Sequence, residues 1–162
     1  MENIMKKLLK LLEENSRLTV SELATLLQKE QGEISDMIKK YESDGTILGY
    51  TALVDWDKTE EESVNALIEL KVIPQRDRGF DRIAERIANY PEVKSVYLMS
   101  GGYDLALIIE GKTMREVAFF VARKLSTLDD VTSTATHFVL RKFKDKGVLF
   151  GNTQKDERGN VL

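Results

Sequence analysis

Residues 15–27 read NSRLTVSELATLL, and this stretch decides how the N-terminal part of the chain folds. Asn15 and Ser16 interrupt the apolar stripe before them, which predicts the end of a first helix. Thr19 stands three residues before Glu22, so the pair predicts a capping box at the start of a second helix. The apolar residues that follow at helical spacing would form its buried face: Val20, Leu23, Ala24 and Leu27.

Helical periodicity continues on both sides of this stretch. A first helix is predicted from the stripe Ile4, Leu8, Leu11 and Leu12. A third helix is predicted over roughly residues 31–43, with Ile34, Ile38 and Tyr41 on its inner side and Gly45 placed to end it in the left-handed conformation. Residues 46–55, TILGYTALVD, are rich in β-forming types around Gly49, so we expect a hairpin wing. Three short helices and a hairpin define a winged helix-turn-helix.

The third helix is the one that a helix-turn-helix lays in the major groove of DNA, and we call it the reading helix. Its outward candidates for DNA contact are Ser35, Lys39 and Lys40. Lysines neutralise phosphates, and a serine hydroxyl bonds phosphate or base edges. Solvated lysines are common on any exposed helix, so these residues point to DNA only through the fold that carries them.

The distribution of charge conflicts with DNA binding. Residues 1–56 contain seven Lys/Arg against ten Asp/Glu, whereas residues 57–162 contain seventeen of each. Glu30, Glu33 and Asp36 place negative charge on the reading helix, where phosphates must approach. A DNA-binding protein built on this half must therefore concentrate its positive charge locally.

Beyond an acidic stretch without apolar residues, the periodicity changes from helical to mixed. The predicted order is strand, helix, strand, strand, helix, strand, which is the ferredoxin-like βαββαβ arrangement of an α+β protein. A second capping box is predicted at Thr113 and Glu116, and the last strand is expected to run from Val131 to about Phe143. We expect a winged helix-turn-helix domain at residues 1–56 and a linker at 57–63. A ferredoxin-like domain should follow at residues 64–146 and a surface tail at 147–162.

Helices on one face of such a sheet leave its second face open. That face would carry apolar side chains such as Leu67 and Val139. An open apolar face favours pairing with another copy of the chain, so we expect at least a dimer.

The composition excludes several classes of function. The chain is 42% hydrophobic and 31% charged, as expected of an ordinary globular protein. It has no cysteine and a single histidine, His137, so thiolate or multi-histidine metal sites are excluded. No nucleophile or acid–base pair stands out, so we expect neither an enzyme nor a metal or cofactor. No signal peptide and no apolar run of about 20 residues is visible, which predicts a cytoplasmic protein without a membrane span.

Four stretches together resemble the leucine-responsive/asparagine-regulator (Lrp/AsnC, or feast-famine) family of transcription regulators, over about residues 2–150. They are NSRLTVSELATLL (15–27), DGTILGYTALVD (44–55), YPEVKSVYLMSGGYDLALII (90–109) and LDDVTSTATHFVLRKFKDKG (128–147). The resemblance implies dimers formed through the ferredoxin-like domain, which commonly assemble into octamers. It also implies that a free amino acid or related metabolite binds at contacts between dimers and changes DNA binding or assembly.

The resemblance further implies where the effector binds. The pocket would be bordered by one turn and by two threonines of the last strand, at Ser100, Gly101, Gly102, Tyr103, Asp104, Thr134 and Thr136. Glycines let backbone amides approach a carboxylate, and Asp104 could pair with an ammonium group. A plain hairpin turn at Gly101-Gly102, stabilised by Asp104, explains the same residues, so both interpretations stay open.

The reading helix departs from the family. Met37 stands two positions before Lys39, where members commonly carry an arginine, and the serine or threonine that usually opens the helix is replaced around residues 30–32. Arg17 matches the family's arginine in the turn before the second helix and joins the candidates for DNA contact. The protein therefore reads an unusual DNA sequence, gains its affinity from multivalent binding, or binds DNA weakly.

The alternative function is that of an amino-acid-binding oligomeric sensor with a weakened or repurposed helix-turn-helix. Such a protein would bind its effector but show no salt-dependent affinity for DNA. An enzyme would differ from both, because it would consume the metabolite that a sensor only binds.

Overall fold

The computed structural model describes residues 4–61, 63–74 and 78–150. The chain divides into two compact units, Met1–Val54 and Asp55–Leu162. Helices dominate the first unit, and a sheet with helices forms the second, which confirms the predicted α+β class. Residues 151–162, most of the predicted tail, lie outside the described residues.

The first unit contains three helices, α1 (Ile4–Glu14), α2 (Val20–Leu27) and α3 (Gln31–Ser43). Their predicted apolar faces meet in one core of buried side chains: Leu8, Leu12, Leu23, Ala24, Ile34 and Tyr41. Gly45 follows α3 with a φ of +76°, as predicted for the residue that ends this helix. The α2–α3 pair is thereby fixed as a helix-turn-helix.

The capping box at the start of α2 is present. The backbone N–H of Thr19 donates to Glu22 Oε2 at 2.7 Å, and the backbone N–H of Glu22 donates to Thr19 Oγ1 at 3.2 Å. The first of these bonds, together with the bond from the threonine hydroxyl, holds the pKa of Glu22 below its ordinary value of 4.5. Two donors that the helix itself cannot satisfy are thus satisfied reciprocally.

Replacing Thr19 with alanine is expected to lower the free energy of unfolding of the first unit by about 1 kcal/mol, because the cap loses its side-chain acceptor. Thermal unfolding followed by circular dichroism measures the loss. Ser16→Ala, an exposed substitution just outside the box, serves as the control and should leave the melting temperature unchanged. Equal melting temperatures for the two variants would contradict the role of the cap.

The structure has no strand in residues 46–55, so the β-hairpin expected there is not formed, although the three helices of the winged helix-turn-helix are. The favoured two-residue hairpin turns need residues with positive φ. Neither Gly49 nor any other residue between 46 and 55 has a positive φ, so no turn of that kind forms here. Leu48 is 95% exposed, and the side chain of Tyr50 bonds Glu42 at 2.9 Å without joining a ladder. Residues 48–55 form neither a regular helix nor a strand.

The second unit is a four-stranded antiparallel sheet covered by helices. Its strands are β1 (Val64–Val72), β2 (Val93–Leu98), β3 (Leu105–Gly111) and β4 (Val131–Phe138), and its helices are α4 (Asp81–Ala88) and α5 (Met114–Phe120), the latter continued by a π-helical turn (Val121–Leu125). A short 3-10 turn, Trp56–Lys58, precedes the sheet. The strand order β2-β3-β1-β4 confirms the predicted ferredoxin-like arrangement.

The core of this unit lies on one face of the sheet. Alternate residues of β1 and β3 pack there against Ile83 and Ile87 of α4 and against Val117 and Phe120 of α5. The sheet's contribution is the set Ala66, Ile68, Leu70, Val72, Leu105, Leu107 and Ile109. The other alternate residues lie on a face that no helix of the described residues covers, which agrees with the period-two prediction.

The last predicted strand ends earlier than expected. It was expected to continue to about Phe143, but β4 stops at Phe138. Its partner β1 begins only at Val64, and the last bond between the two strands is donated by the N–H of Val139 to Asn65 O. The chain then forms a small hairpin, β5 (Lys144–Asp145) with β6 (Val148–Leu149). Lys146 and Gly147 both have positive φ at its turn, as a two-residue turn of this kind requires.

The second predicted capping box is only half formed. Thr113 Oγ1 does accept from the backbone N–H of Glu116 at 3.1 Å. Glu116 Oε2, however, accepts from the backbone N–H of Lys112 at 2.7 Å and not from that of Thr113. Gly111 explains the tight approach, because a Cβ there would lie 2.9 Å from Val117 Cγ2. The loop therefore folds back onto the helix one residue before the predicted position.

Candidate functional site

The reading helix is α3, and its outer side presents the predicted lysines to solvent. Lys39 and Lys40 are exposed, Ser35 is half-buried, and Ser35 and Lys39 are four residues apart on one stripe of the helix. Neither lysine has an ion-pair partner among the residues that the structure describes. Arg17 is exposed in the turn before α2, where its backbone N–H donates to Asn15 Oδ1 at 3.1 Å. All four predicted DNA contacts therefore belong to the same compact unit.

The negative charge of the reading helix is partly compensated. Glu33 Oε1 lies 2.7 Å from Lys29 Nζ, across one turn of the helix end. Because both side chains are well exposed, this pair is weak in water and can open when a phosphate approaches. Asp36 is exposed and has no such partner in the described part of the chain. Glu30 occupies the N-cap position of α3 and makes no side-chain capping bond. The helix therefore lacks the cap that a serine or threonine hydroxyl would supply there.

In the second unit, the predicted effector turn connects β2 to β3. Ser100, Gly101 and Gly102 are exposed, and Tyr103 and Asp104 are half-buried. The turn is closed by a bond from the N–H of Met99 to the carbonyl of Asp104 at 2.8 Å. This closure leaves the serine and the two glycines at the tip.

Asp104 extends the ladder between β1 and β3 by one step. Its N–H donates to Leu70 O at 2.9 Å, and its Oδ2 accepts from the N–H of Val72 at 2.9 Å. The register between β1 and β4 shifts between Lys71 and Val72, so this carboxylate satisfies a donor at an irregular point of the sheet. Asp104 Oδ1 accepts no bond from the described residues. The structure thus gives one oxygen of Asp104 a structural role, whether or not the other contacts a ligand.

The two glycines of the turn are not required by the backbone. Gly101 and Gly102 are absent from the residues with positive φ, and a Cβ at either position would meet nothing within 4 Å. Conformation and local packing within the subunit therefore both tolerate a side chain at the turn's tip.

Thr134 and Thr136 lie on β4, two strands away from β3. Thr134 pairs with Leu70, which pairs with Leu105 on its other side, so Thr134 shares the end of the sheet at which Asp104 lies. Two strand spacings separate Thr134 from Leu105, roughly 10 Å. Thr136 pairs with Ile68, one step further from that end. The structure brings Thr134 and the turn to one edge and leaves Thr136 nearer the middle.

The open face of the sheet carries a mixed set of side chains. Leu67, Ile108 and Ala135 are half-buried there, and Tyr97 is exposed. His137 Nε2 lies 3.0 Å from Glu69 Oε2 in the same face. The histidine is thus engaged by a carboxylate on a strand surface.

The described residues contain no group of three or more His, Asp or Glu side chains placed to hold a metal ion. None of the helices described combines the length and the apolar composition that crossing a bilayer requires.

Comparisons with known proteins agree with the two-unit fold. Residues 1–47 match the winged helix-turn-helix DNA-binding family, and residues 65–149 match the Lrp/AsnC ligand binding domain. YugG of Bacillus subtilis, an HTH-type transcriptional regulator, is 46% identical over 153 residues, 94% of this chain and 92% of its own length. The AsnC family transcriptional regulator from Agrobacterium tumefaciens superposes with a TM-score of 0.71 at 25% identity, covering 92% of this chain and 96% of its own.

A further structure shares the fold, that of the transcriptional regulator NMB0573 of Neisseria meningitidis in complex with L-Met. Its TM-score is 0.71 at 24% identity, and the match covers 90% of this chain and 93% of the other.

A helix-turn-helix unit joined to a ligand-binding ferredoxin-like unit defines a ligand-responsive transcriptional regulator. The chain belongs to the Lrp/AsnC family. Its matched families and relatives are transcription regulators and not enzymes.

Proposed function

We propose that this regulator binds double-stranded DNA through Arg17, Ser35, Lys39 and Lys40 and changes its DNA binding or assembly when a free amino acid binds. The DNA-binding part corresponds to residues 1–56 and the effector-binding part to residues 64–146, joined by 57–63. The proposal is carried by two features taken together. Lys39 and Lys40 are exposed on α3 without an ion-pair partner among the described residues, and an exposed glycine turn lies at the edge of the ligand-binding domain. Such a regulator works on chromosomal DNA and hence in the cytoplasm.

The amino-acid class of the effector is supported by the chemistry of the turn. Exposed backbone N–H groups at Gly101 and Gly102 suit a carboxylate, and the negative charge of Asp104 suits an ammonium group. Thr134, at the same end of the sheet, adds a hydroxyl, and Ser100 and Tyr103 border the turn. The related regulator NMB0573 has been crystallised with L-Met, which belongs to this class of ligand.

The open sheet face supports a homodimer. Half-buried Leu67 and Ile108, with exposed Tyr97, would be covered by a second copy of the same sheet, an arrangement typical of isologous contacts. Assembly of such dimers into octamers would bring turns from different dimers together. Assembly would also make several DNA contacts intramolecular, and linked contacts of this kind raise avidity by about 10²–10⁴-fold.

The glycine turn gives the direct test of effector binding. Gly101→Ala combined with Gly102→Ala should leave thermal stability within about 0.5 kcal/mol, because the subunit offers space for both methyl groups. The affinity for the effector should fall at least about tenfold, since a methyl group would stand between the backbone amides and the bound carboxylate. Isothermal titration with each of the twenty amino acids identifies the effector first and then measures the variant.

Gly49→Ala is the matched control, because it also has open space around it and no positive φ, but lies in the other unit. An effector that binds the double variant as tightly as the Gly49→Ala protein would contradict the placement of the pocket at this turn.

A further inference from the structure

The exposed side of α5 carries an aromatic ring held between two arginines. The guanidinium carbon of Arg115 lies 5.2 Å from the centroid of the Phe119 ring, and that of Arg123 lies 4.8 Å from it. The arginines stand four residues before and four residues after the phenylalanine, so the three side chains follow one stripe of the helical segment. The two guanidinium carbons are no farther apart than the sum of these distances, 10.0 Å.

Each guanidinium carries five N–H donors, more than a contact with one ring can use. Donors of both arginines are therefore left for another partner. Neither Arg115 nor Arg123 has a carboxylate within ion-pair distance among the described residues. Two fixed cations therefore present unused donors to the solvent.

Phe119 itself has no place in the core. Its side chain is 43% exposed, whereas the neighbouring Val117, Phe120 and Val121 supply the buried side of this segment. The exposure of Phe119 is explained if its ring serves to position both guanidinium groups through cation–π contacts. The ring then orders two long side chains that would otherwise sample many rotamers.

The charge around this stripe is strongly positive. Residues 112–124 contain four Lys/Arg and one acidic residue, in a chain whose net charge is −3. The acidic residue, Glu116, is bonded to the backbone N–H of Lys112, and Lys124 is paired with Glu92 at 2.8 Å. Arg115 and Arg123, together with the exposed Lys112, are therefore the cations of this stretch that no carboxylate pairs with among the described residues.

We propose that Arg115 and Arg123 form a second contact with the DNA backbone, in which each guanidinium donates to phosphate oxygens outside the sequence read by α3. This proposal rests on DNA binding by the helix-turn-helix. Phosphate suits the planar, bidentate edge of arginine. The first 56 residues carry a net charge of −3, so a second cationic contact elsewhere in the chain would add to the few lysines that α3 offers to phosphates. An acidic protein surface fits these arginines less well as a partner. A protein partner would need an exposed aromatic side chain as an anchor, and the Phe119 ring is already covered by the two guanidinium groups.

The test compares the salt dependence of DNA binding by the full chain and by an Arg115→Gln/Arg123→Gln variant. A promoter fragment that the wild type binds is titrated by fluorescence anisotropy at several KCl concentrations. Each phosphate contact contributes about 0.9 to the slope of log affinity against log salt, so the variant should lose about 1.8 per bound subunit. Between about 50 and 200 mM KCl its affinity should then fall about 12-fold less than that of the wild type, per bound subunit.

Arg78→Gln combined with Arg86→Gln is the matched control, since it removes two exposed positive charges from the same unit outside this stripe. Its slope should equal that of the wild type. Phe119→Leu retains both arginine charges but removes the aromatic ring that positions them. The DNA affinity of this variant should therefore fall, while the slope of log affinity against log salt stays that of the wild type. Melting temperatures of all variants confirm that each is folded.

A variant slope equal to that of the arginine control would overturn the second contact. A changed oligomeric state with an unchanged slope would also overturn it and assign the arginines to a protein interface. Absence of salt-dependent DNA binding by the wild type would overturn the DNA-binding function and this proposal together, whereas wild-type binding with an unaffected variant would overturn this proposal alone.

Discussion

Asp104→Asn is expected to weaken the response to the amino-acid effector strongly without unfolding the second unit. Asparagine keeps an oxygen that can accept from the N–H of Val72, so the extra step of the β1–β3 ladder is retained. It removes the negative charge that an ammonium group would meet, and a charge-assisted bond of this kind contributes about 1.5–3 kcal/mol. Effector affinity should therefore fall roughly 10- to 100-fold in isothermal titration.

Asp104→Ala separates the structural role of this residue from its proposed role in binding. Alanine leaves the N–H of Val72 without its acceptor, which should cost about 1–3 kcal/mol of unfolding free energy in addition to the loss of binding. Denaturant unfolding of the two variants measures the difference. If Asp104→Asn bound the effector as tightly as the wild type, this residue would only stabilise the turn.

Lys39→Gln combined with Lys40→Gln is expected to give the largest loss of DNA affinity. Both side chains are exposed on the reading helix and unpaired among the described residues, so they are available to phosphates. Losing two phosphate contacts should weaken binding at least about tenfold on all DNA sequences and make the salt slope less steep by about 1.8 per reading helix. Fluorescence anisotropy at several salt concentrations measures both quantities.

Lys6→Gln combined with Lys10→Gln is the control for this change, because it removes the same charge from exposed positions of α1 in the same unit. If both double variants weakened binding equally, the effect would belong to net charge and not to the reading helix.

The helices and the sheet were predictable because each combined a clear periodicity with a local signal at its end. The Thr19–Glu22 box and Gly45 mark helix ends through hydrogen bonds and a φ of +76° that depend on a few neighbouring residues. The strand order was predictable because the sequence of strands and helices permits few arrangements.

The two predictions that the structure contradicts, the hairpin at residues 46–55 and the end of the last strand, concern segments whose structure depends on pairing with distant residues. The stretch around Gly49 has β-forming residues, but β-propensity needs a partner strand, and nothing local shows whether the chain will turn back. The end of β4 is set by where β1 begins, some seventy residues earlier. The hairpin of Lys144–Asp145 with Val148–Leu149 does have a local signal, because Gly147 favours the positive φ that its two-residue turn needs.

The candidate functional residues also differ in whether local sequence patterns or distant contacts reveal them. Lys39 and Lys40 could be named from the sequence because the reading helix follows from local patterns. The bonds of Asp104 to β1 could not, since they join residues 32 positions apart. Arg115, Phe119 and Arg123 stand at visible four-residue intervals, but only the structure shows that the ring contacts both guanidinium groups and faces outward.

The central claim, that an amino acid controls binding of this protein to DNA, is tested most directly by fluorescence anisotropy of the full chain. A promoter library that includes the protein's own promoter is titrated at two salt concentrations, with and without pooled amino acids. We expect specific binding that weakens with salt and shifts when amino acids are added. A folded oligomer that binds an amino acid in isothermal titration but no DNA fragment at either salt concentration would contradict the claim and favour a sensor with a repurposed helix-turn-helix.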